Sequence, residues 1–109
     1  MAQLIKTIPY SIKLADTFFT RFKGLMFRKD RLREEGLWII PCNSIHMCFM
    51  HFEIDAVFLN KKGAIVKMVE GLKPWSFVKP IRGAYSVIEL PAGTISRFGL
   101  KDGELIKIK

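Results

Sequence analysis

Thiols, imidazoles and acids are all scarce in this sequence. Two cysteines in 109 residues are too few for a disulfide framework and read as reduced thiols. No apolar run approaches the roughly 18 residues of a bilayer-spanning helix; the longest candidate, WIIPCNSIHMCFMHF, is broken by Pro41, Asn43, Ser44 and His46. The N-terminal stretch MAQLIKTIPYSIKLAD has neither the apolar core nor the small-residue cleavage site of an export signal. The expected compartment is therefore the cytoplasm, with no membrane span. No glycine-rich run leads into a Lys-Ser or Lys-Thr pair and no dinucleotide fingerprint occurs, so no cofactor is implied. Nor is there a linker, repeat or low-complexity tract, and residues 1–109 are expected to form one domain.

What the chain does have is enough apolar side chain for a core. Half the residues are apolar, nine are Phe and 26% are charged, a composition that excludes a disordered tail or a coiled coil. Eighteen Lys and Arg against ten Asp and Glu set the net charge at +8. The excess falls in two long regions: residues 1–33 hold eight basic side chains against Asp16 and Asp30, and residues 56–101 hold eight against Glu70 and Glu89. Such a field suits an anionic small molecule or an acidic protein and permits nucleic acid. No RNA-binding aromatic motif, Cys/His finger or recognition helix accompanies it.

Local patterning predicts the elements. Leu4–Ile8 and Ser11–Leu14 read as short strands around Pro9, whose missing N–H suits a sheet edge, and an uncovered edge there would serve a homodimer. Asp16 stands where a helix cap belongs, and Phe18, Phe22, Leu25 and Met26 recur at helical spacing, predicting a helix over 17–26. After Gly36 the period shortens toward two. Leu37–Ile40, Ile45–Met50, Ala56–Leu59 and Ala64–Val69 read as strands, the last two joined by a hairpin turn at 60–63. Residues 71–80, with two prolines, read as a loop, Tyr85–Leu90 as a strand, 92–98 as a short helix closed by Gly99, and Leu105–Ile108 as the last strand. About seven strands and two short helices predict a mostly β domain, a small barrel or jelly-roll-like sandwich.

Several residues carry candidate chemistry. Cys42, His46, Cys48 and His51 fall within ten residues as Cys-x3-His-x-Cys-x2-His. Zinc sites favour two tight pairs, and on a strand these side chains would point to both faces, so a buried thiol beside an ordinary histidine outweighs a metal centre. His46 and Cys48 would share a face, where a base and a nucleophile act together only with an oxyanion donor nearby. Asp55, in FEIDAVFL, either caps a turn through backbone N–H groups or pairs with a base, and Arg21 is the attractive partner because it emerges from an apolar helix margin. Gly93 and Thr94 open a short helix whose free N–H groups could receive an anion, and Trp38 and Trp75 are candidate pocket walls.

Taken in order, RFKGLM (21–26), IPCNSIH (40–46), FMHFEIDAVFL (49–59), LKPW (72–75), GAYSV (83–87) and ELPAGT (89–94) resemble the DUF192 family of small uncharacterised bacterial and archaeal proteins, over nearly the whole chain. The resemblance implies a compact, β-rich, jelly-roll-like fold and no assigned activity. The positions it carries over are Arg21, His46, Asp55 and the turn at 90–94, none with a catalytic duty attached. This chain departs from the family pattern at Met47, where Thr is usual, at His51, where Arg or Lys is usual, and at Glu53, where Pro is usual. Cys48 also stands where an aromatic is common. Three readings follow. One is a binding module of unassigned ligand whose pocket gathers Arg21, His46 and Asp55 near Trp38, Trp75, Gly93 and Thr94, which requires a shared concave surface. Another is a structural or interaction protein without a ligand site, favoured by an exposed apolar face and no cleft. The third is a small hydrolase using His46 with Asp55 or Cys48, which requires base and nucleophile within hydrogen-bond reach.

Overall fold

A computed structural model describes residues 4–108, which contain nine strands and two short helices. In chain order these are β1 (Ile5–Ile8), β2 (Ser11–Ala15), α1 (Phe18–Lys23), β3 (Glu35–Ile39), β4 (Ile45–His46), β5 (Ile54–Leu59), β6 (Ile65–Leu72), β7 (Phe77–Val78), β8 (Ser86–Pro91), α2 (Thr94–Phe98) and β9 (Leu105–Ile108). Five strands pair in the order β2-β3-β8-β5-β6, with β2 parallel to β3 and the other pairs antiparallel. β1 and β9 make a separate parallel ribbon, and β4 and β7 a two-residue antiparallel pair. No barrel closes. The arrangement is sandwich-like, a central sheet with a core on each face.

The sequences of β5 and β8 account for that layout. IDAVFL and SVIELP are buried almost throughout, the pattern of strands covered on both sides. Ala56, Phe58 and Val87 join Ala15, Leu25, Ile39, Met47 and Leu72 in a first core. The alternate residues Val57, Leu59, Ile88 and Leu90 join Ile8, Tyr10, Ile65, Ile95 and Leu100 in a second. The segment after α1 and the β4–β7 pair cover the first core; the β1–β9 ribbon and α2 cover the second. β3 approaches β8 closely because Gly36 has no side chain: a Cβ there would lie 2.6 Å from the Glu89 carbonyl oxygen and 2.9 Å from Ile12 Cδ1.

Several elements differ from expectation for local reasons. The hairpin over 55–69 forms, with Asn60 Oδ1 accepting from the N–H groups of Lys62 and Ala64, but its second strand continues to Leu72 and Phe77–Val78 add a strand within the expected loop. α1 is capped by Thr17 rather than Asp16: its hydroxyl accepts from the Thr20 N–H while Thr20 Oγ1 accepts from the Thr17 N–H. The helix ends at Lys23, so Phe18 and Phe22 stay exposed and Leu25 and Met26 reach the interior only after the chain has turned at Gly24. The strand expected over 45–50 stops at His46, because Phe49 takes a left-handed φ of 62° and the Met50 N–H folds back onto the Met47 carbonyl. α2 begins at Thr94 rather than at residue 92, and Gly99 closes it in the left-handed conformation as the pattern predicts.

Candidate functional site

Glu89 interrupts an otherwise apolar strand. It is paired in register with Ala56 of β5 and Leu37 of β3, so it takes a place on the first-core face where an apolar side chain would ordinarily sit. The residue is only 4% exposed, and its Oε1 has no hydrogen-bond partner. Burial pushes its pKa up from 4.5 to about 7, since a carboxylate away from water loses its solvation. Buried polar atoms in folded proteins are nearly always paired, which singles this oxygen out.

A small cleft of about 40 Å³ lies against the carboxyl, lined in part by Arg21, Gly24, Cys42, His46 and Glu89. That is room for a water molecule or the tip of a larger ligand. Gly24 keeps the cleft open: at its φ of 50° a side chain would be strained, and a Cβ would lie 3.6 Å from Glu89 Oε1. Arg21 comes from the last turn of α1. Its Nε donates to the Thr17 carbonyl at 3.3 Å and its Nη1 to the Pro41 carbonyl at 3.2 Å, which pins the guanidinium between the helix and the turn that carries Cys42. The Cys42 thiol donates to the Ser44 carbonyl at 3.0 Å. Burial raises its pKa most, and the smaller contributions of the Ser44 backbone and of the Glu89 and Arg21 charges leave the thiol above its ordinary value. Cys42 is thus held as a protonated thiol, the opposite of an activated nucleophile. His46, on β4, is exposed, with its ring 6.1 Å from that of Phe22.

Asp55 lies elsewhere. It is fully buried, and its Oδ1 accepts from the Gly71 N–H at 2.9 Å while Oδ2 accepts from the N–H groups of Gly93 at 3.1 Å and Ile95 at 2.9 Å. The expected partnership with Arg21 is replaced by three backbone donors, and Asp55 does not line the Arg21 cleft. The same bonds place the protein's own carboxylate at the start of α2, where sequence reasoning looked for a bound anion; the Thr94 hydroxyl turns back to the Pro91 carbonyl. Trp38 donates its indole N–H to Ser86 Oγ at 2.9 Å and packs against the second core. Trp75 is exposed and meets Phe49 edge-on at 4.9 Å. Neither tryptophan lines the cleft, and neither do Cys48 and His51. Among the described residues, no three His, Cys, Asp or Glu side chains are grouped to hold a metal ion. Arg21 and His46 line one cleft, and the acid beside them is Glu89 rather than Asp55. The available signal was an acid in the middle of SVIELP, a run that otherwise reads as a strand buried on both faces.

Fold and site together define a class: a mostly β, sandwich-like single domain with an orphaned buried acid beside a small cleft. Residues 3–108 match the model of DUF192, described as Uncharacterized ACR. The chain is 36% identical over 107 residues to a UPF0127 protein of Pyrococcus furiosus, covering 94% of this chain and 90% of the relative. It is 37% identical over 100 residues to a UPF0127 protein of Thermococcus sibiricus, covering 87% of this chain and 64% of that longer relative. The crystal structure of a protein of unknown function from Novosphingobium aromaticivorans has a similar fold, with a TM-score of 0.77 at 24% identity over 86% of this chain and 71% of that one. The chain belongs to the DUF192 family. No helix among the described residues is long and apolar enough to cross a membrane.

Proposed function

We propose that this protein is a binding module whose cleft at Arg21, Cys42, His46 and Glu89 takes a compact group rich in hydrogen-bond acceptors, a carboxylate or a carbonyl. The observation that carries the reading is Glu89 Oε1, buried beside the cleft without a partner. An unpaired buried polar group costs about 1–3 kcal/mol, which a ligand supplying the missing bond recovers. Below its pKa of about 7 the carboxyl is mostly protonated and donates, and Arg21 adds a fixed positive charge at the same cleft. Donors therefore outnumber acceptors, which selects against ammonium-like ligands. The hydrolase reading has less support, because Asp55 is bonded to three backbone N–H groups and neither it nor Cys48 lines the cleft with His46. The two free cysteines favour a reducing, cytoplasmic setting for this role.

Amide NMR with acetate as the carboxylate probe and methylammonium as its counterpart tests the reading. Acetate is expected to shift the amides of Gly24, Cys42, Ile45 and Glu89, less strongly above the Glu89 pKa and not in Arg21→Ala. Shifts with methylammonium alone would overturn the acceptor assignment. Silence with both probes would leave a structural role for the cleft.

A further inference from the structure

Away from the cleft floor, the molecule exposes an unusual amount of aromatic surface. Phe18, Phe19, Phe22, Phe27, Phe49, Trp75 and Phe77 are each between 47% and 77% exposed. They are linked. Phe18 stacks on Phe22, whose ring neighbours His46, and His46 is paired across β4 and β7 with Phe77. Phe27 stacks on Phe49, which meets Trp75. At roughly 200 Å² per ring the exposed area of the seven sums to on the order of 900 Å², spread over the two groups and Phe19.

The rings are held outward at a cost. Four non-glycine residues among those described have left-handed φ, and three of them are Phe27 (67°), Phe49 (62°) and Trp75 (65°), the successive members of one ring chain. Backbone of this kind is strained and persists only where surrounding structure enforces it. Here the Phe27 N–H donates to the Phe49 carbonyl and the Trp75 N–H to the Met47 carbonyl. α1 sends no side chain into the core, so its three Phe residues serve the surface rather than the fold. Charge follows the same outline. The ring-bearing segments 17–29, 45–51 and 73–79 contain Arg21, Lys23, Arg28, Lys29, Lys73 and Lys79 and no acidic residue.

We infer that this face binds the surface of bilayers rich in anionic lipid, the rings entering the headgroup boundary and Arg21, Lys23, Lys29, Lys73 and Lys79 meeting the phosphates, while Arg28 is bridged to Glu35. A second copy is a poor occupant, since it would set a surface of net positive charge against itself. Single-stranded nucleic acid fits less well, since no RNA-binding aromatic motif or recognition helix accompanies the charge and Phe27 and Phe49, stacked at 5.0 Å, each give up one ring face to the other. A peptide needs a groove, and Phe18, Phe19, Phe49, Trp75 and Phe77 line none of the molecule's main clefts. Apolar rings standing proud of a basic surface are what a lipid interface accepts.

The test is co-sedimentation with vesicles of phosphatidylcholine alone and of phosphatidylcholine with phosphatidylglycerol. Binding is expected to the mixed vesicles and to weaken in high salt. In Trp38→Phe, which leaves Trp75 as the sole tryptophan, emission should move to the blue and be quenched by brominated acyl chains. The double change Phe18→Ser and Phe19→Ser should weaken partition at least about tenfold with an unaltered circular dichroism spectrum. Absence of binding to the mixed vesicles overturns the inference. So does binding that leaves Trp75 unmoved and ignores the Phe changes, which is adsorption by charge alone. Binding of oligothymidylate with quenching of Trp75, and no vesicle binding, would assign the face to nucleic acid instead.

Discussion

Asp55 and Glu89 sit on neighbouring central strands one register step apart, and both are buried. The pleat sends them to opposite faces. Asp55 meets the start of α2 and the N–H of Gly71, and three backbone donors saturate it. Glu89 meets a cleft, and one of its oxygens is paired with nothing. Burial alone would have treated them alike. What separates an acid that fixes a fold from one that is kept for a ligand is whether its hydrogen-bonding capacity has been used.

The contrast can be broken from the Asp55 side first. Asp55→Ala leaves three backbone N–H groups without their acceptor and is expected to cost about 3–5 kcal/mol, read by urea denaturation. A loss below about 1 kcal/mol would mean that the start of α2 and the β6 backbone do not depend on the carboxylate.

Glu89 should behave in the opposite sense. Its carboxyl ionises near 4.5 ordinarily and near 7 when folded, so between those values the folded protein keeps a proton that the unfolded chain releases. Stability from this group is complete below pH 4.5, falls as pH rises through 7, and levels off above it, a total change on the order of 3 kcal/mol. The difference between wild type and Glu89→Gln, followed as denaturation midpoint against pH, isolates it from other acids. Glu89→Met should raise stability at pH 8 by about 1–3 kcal/mol, because no ionised orphan then remains. A wild-type advantage that grows with pH over that window would sink the assignment.

The smallest effect concerns the helix beside the cleft. Thr17→Ala removes the cap of α1 and should cost about 1 kcal/mol locally. Since α1 buries no side chain, the change is expected as faster amide exchange over residues 18–23 with an unchanged global transition. A global loss of the same size would show that the helix is coupled to the cores after all.

Much of the fold was legible because its signals are local. Asn60 and Gly63 mark the hairpin turn, Gly99 marks the end of α2, and the apolar runs of β5 and β8 mark the centre of the sheet. The errors came where a pattern has two physical causes. Phe18, Phe22, Leu25 and Met26 recur at helical spacing, yet the first two are outside and the last two are inside, because Gly24 redirects the chain between them. Alternation over 45–50 reads as strand, but Phe49 is held in a left-handed conformation by its neighbours in space. At the site, Arg21 and His46 could be read as companions from the motifs that contain them. The separation of Asp55 from them could not, since it depends on which face of the sheet α2 covers, a long-range fact.

The β1–β9 ribbon has a consequence for how this molecule is made. Ile8 is fully buried in the second core, and its strand pairs with Ile5↔Leu105 through Ile8↔Ile108, joining one end of the described chain to the other. During synthesis β1 emerges before β2 to β8 and waits for β9 until those elements have followed it. Such distant pairing makes folding slow, and it leaves the exposed Leu4 and Ile5 beside an unfilled edge in the interval, a natural point of contact for a chaperone.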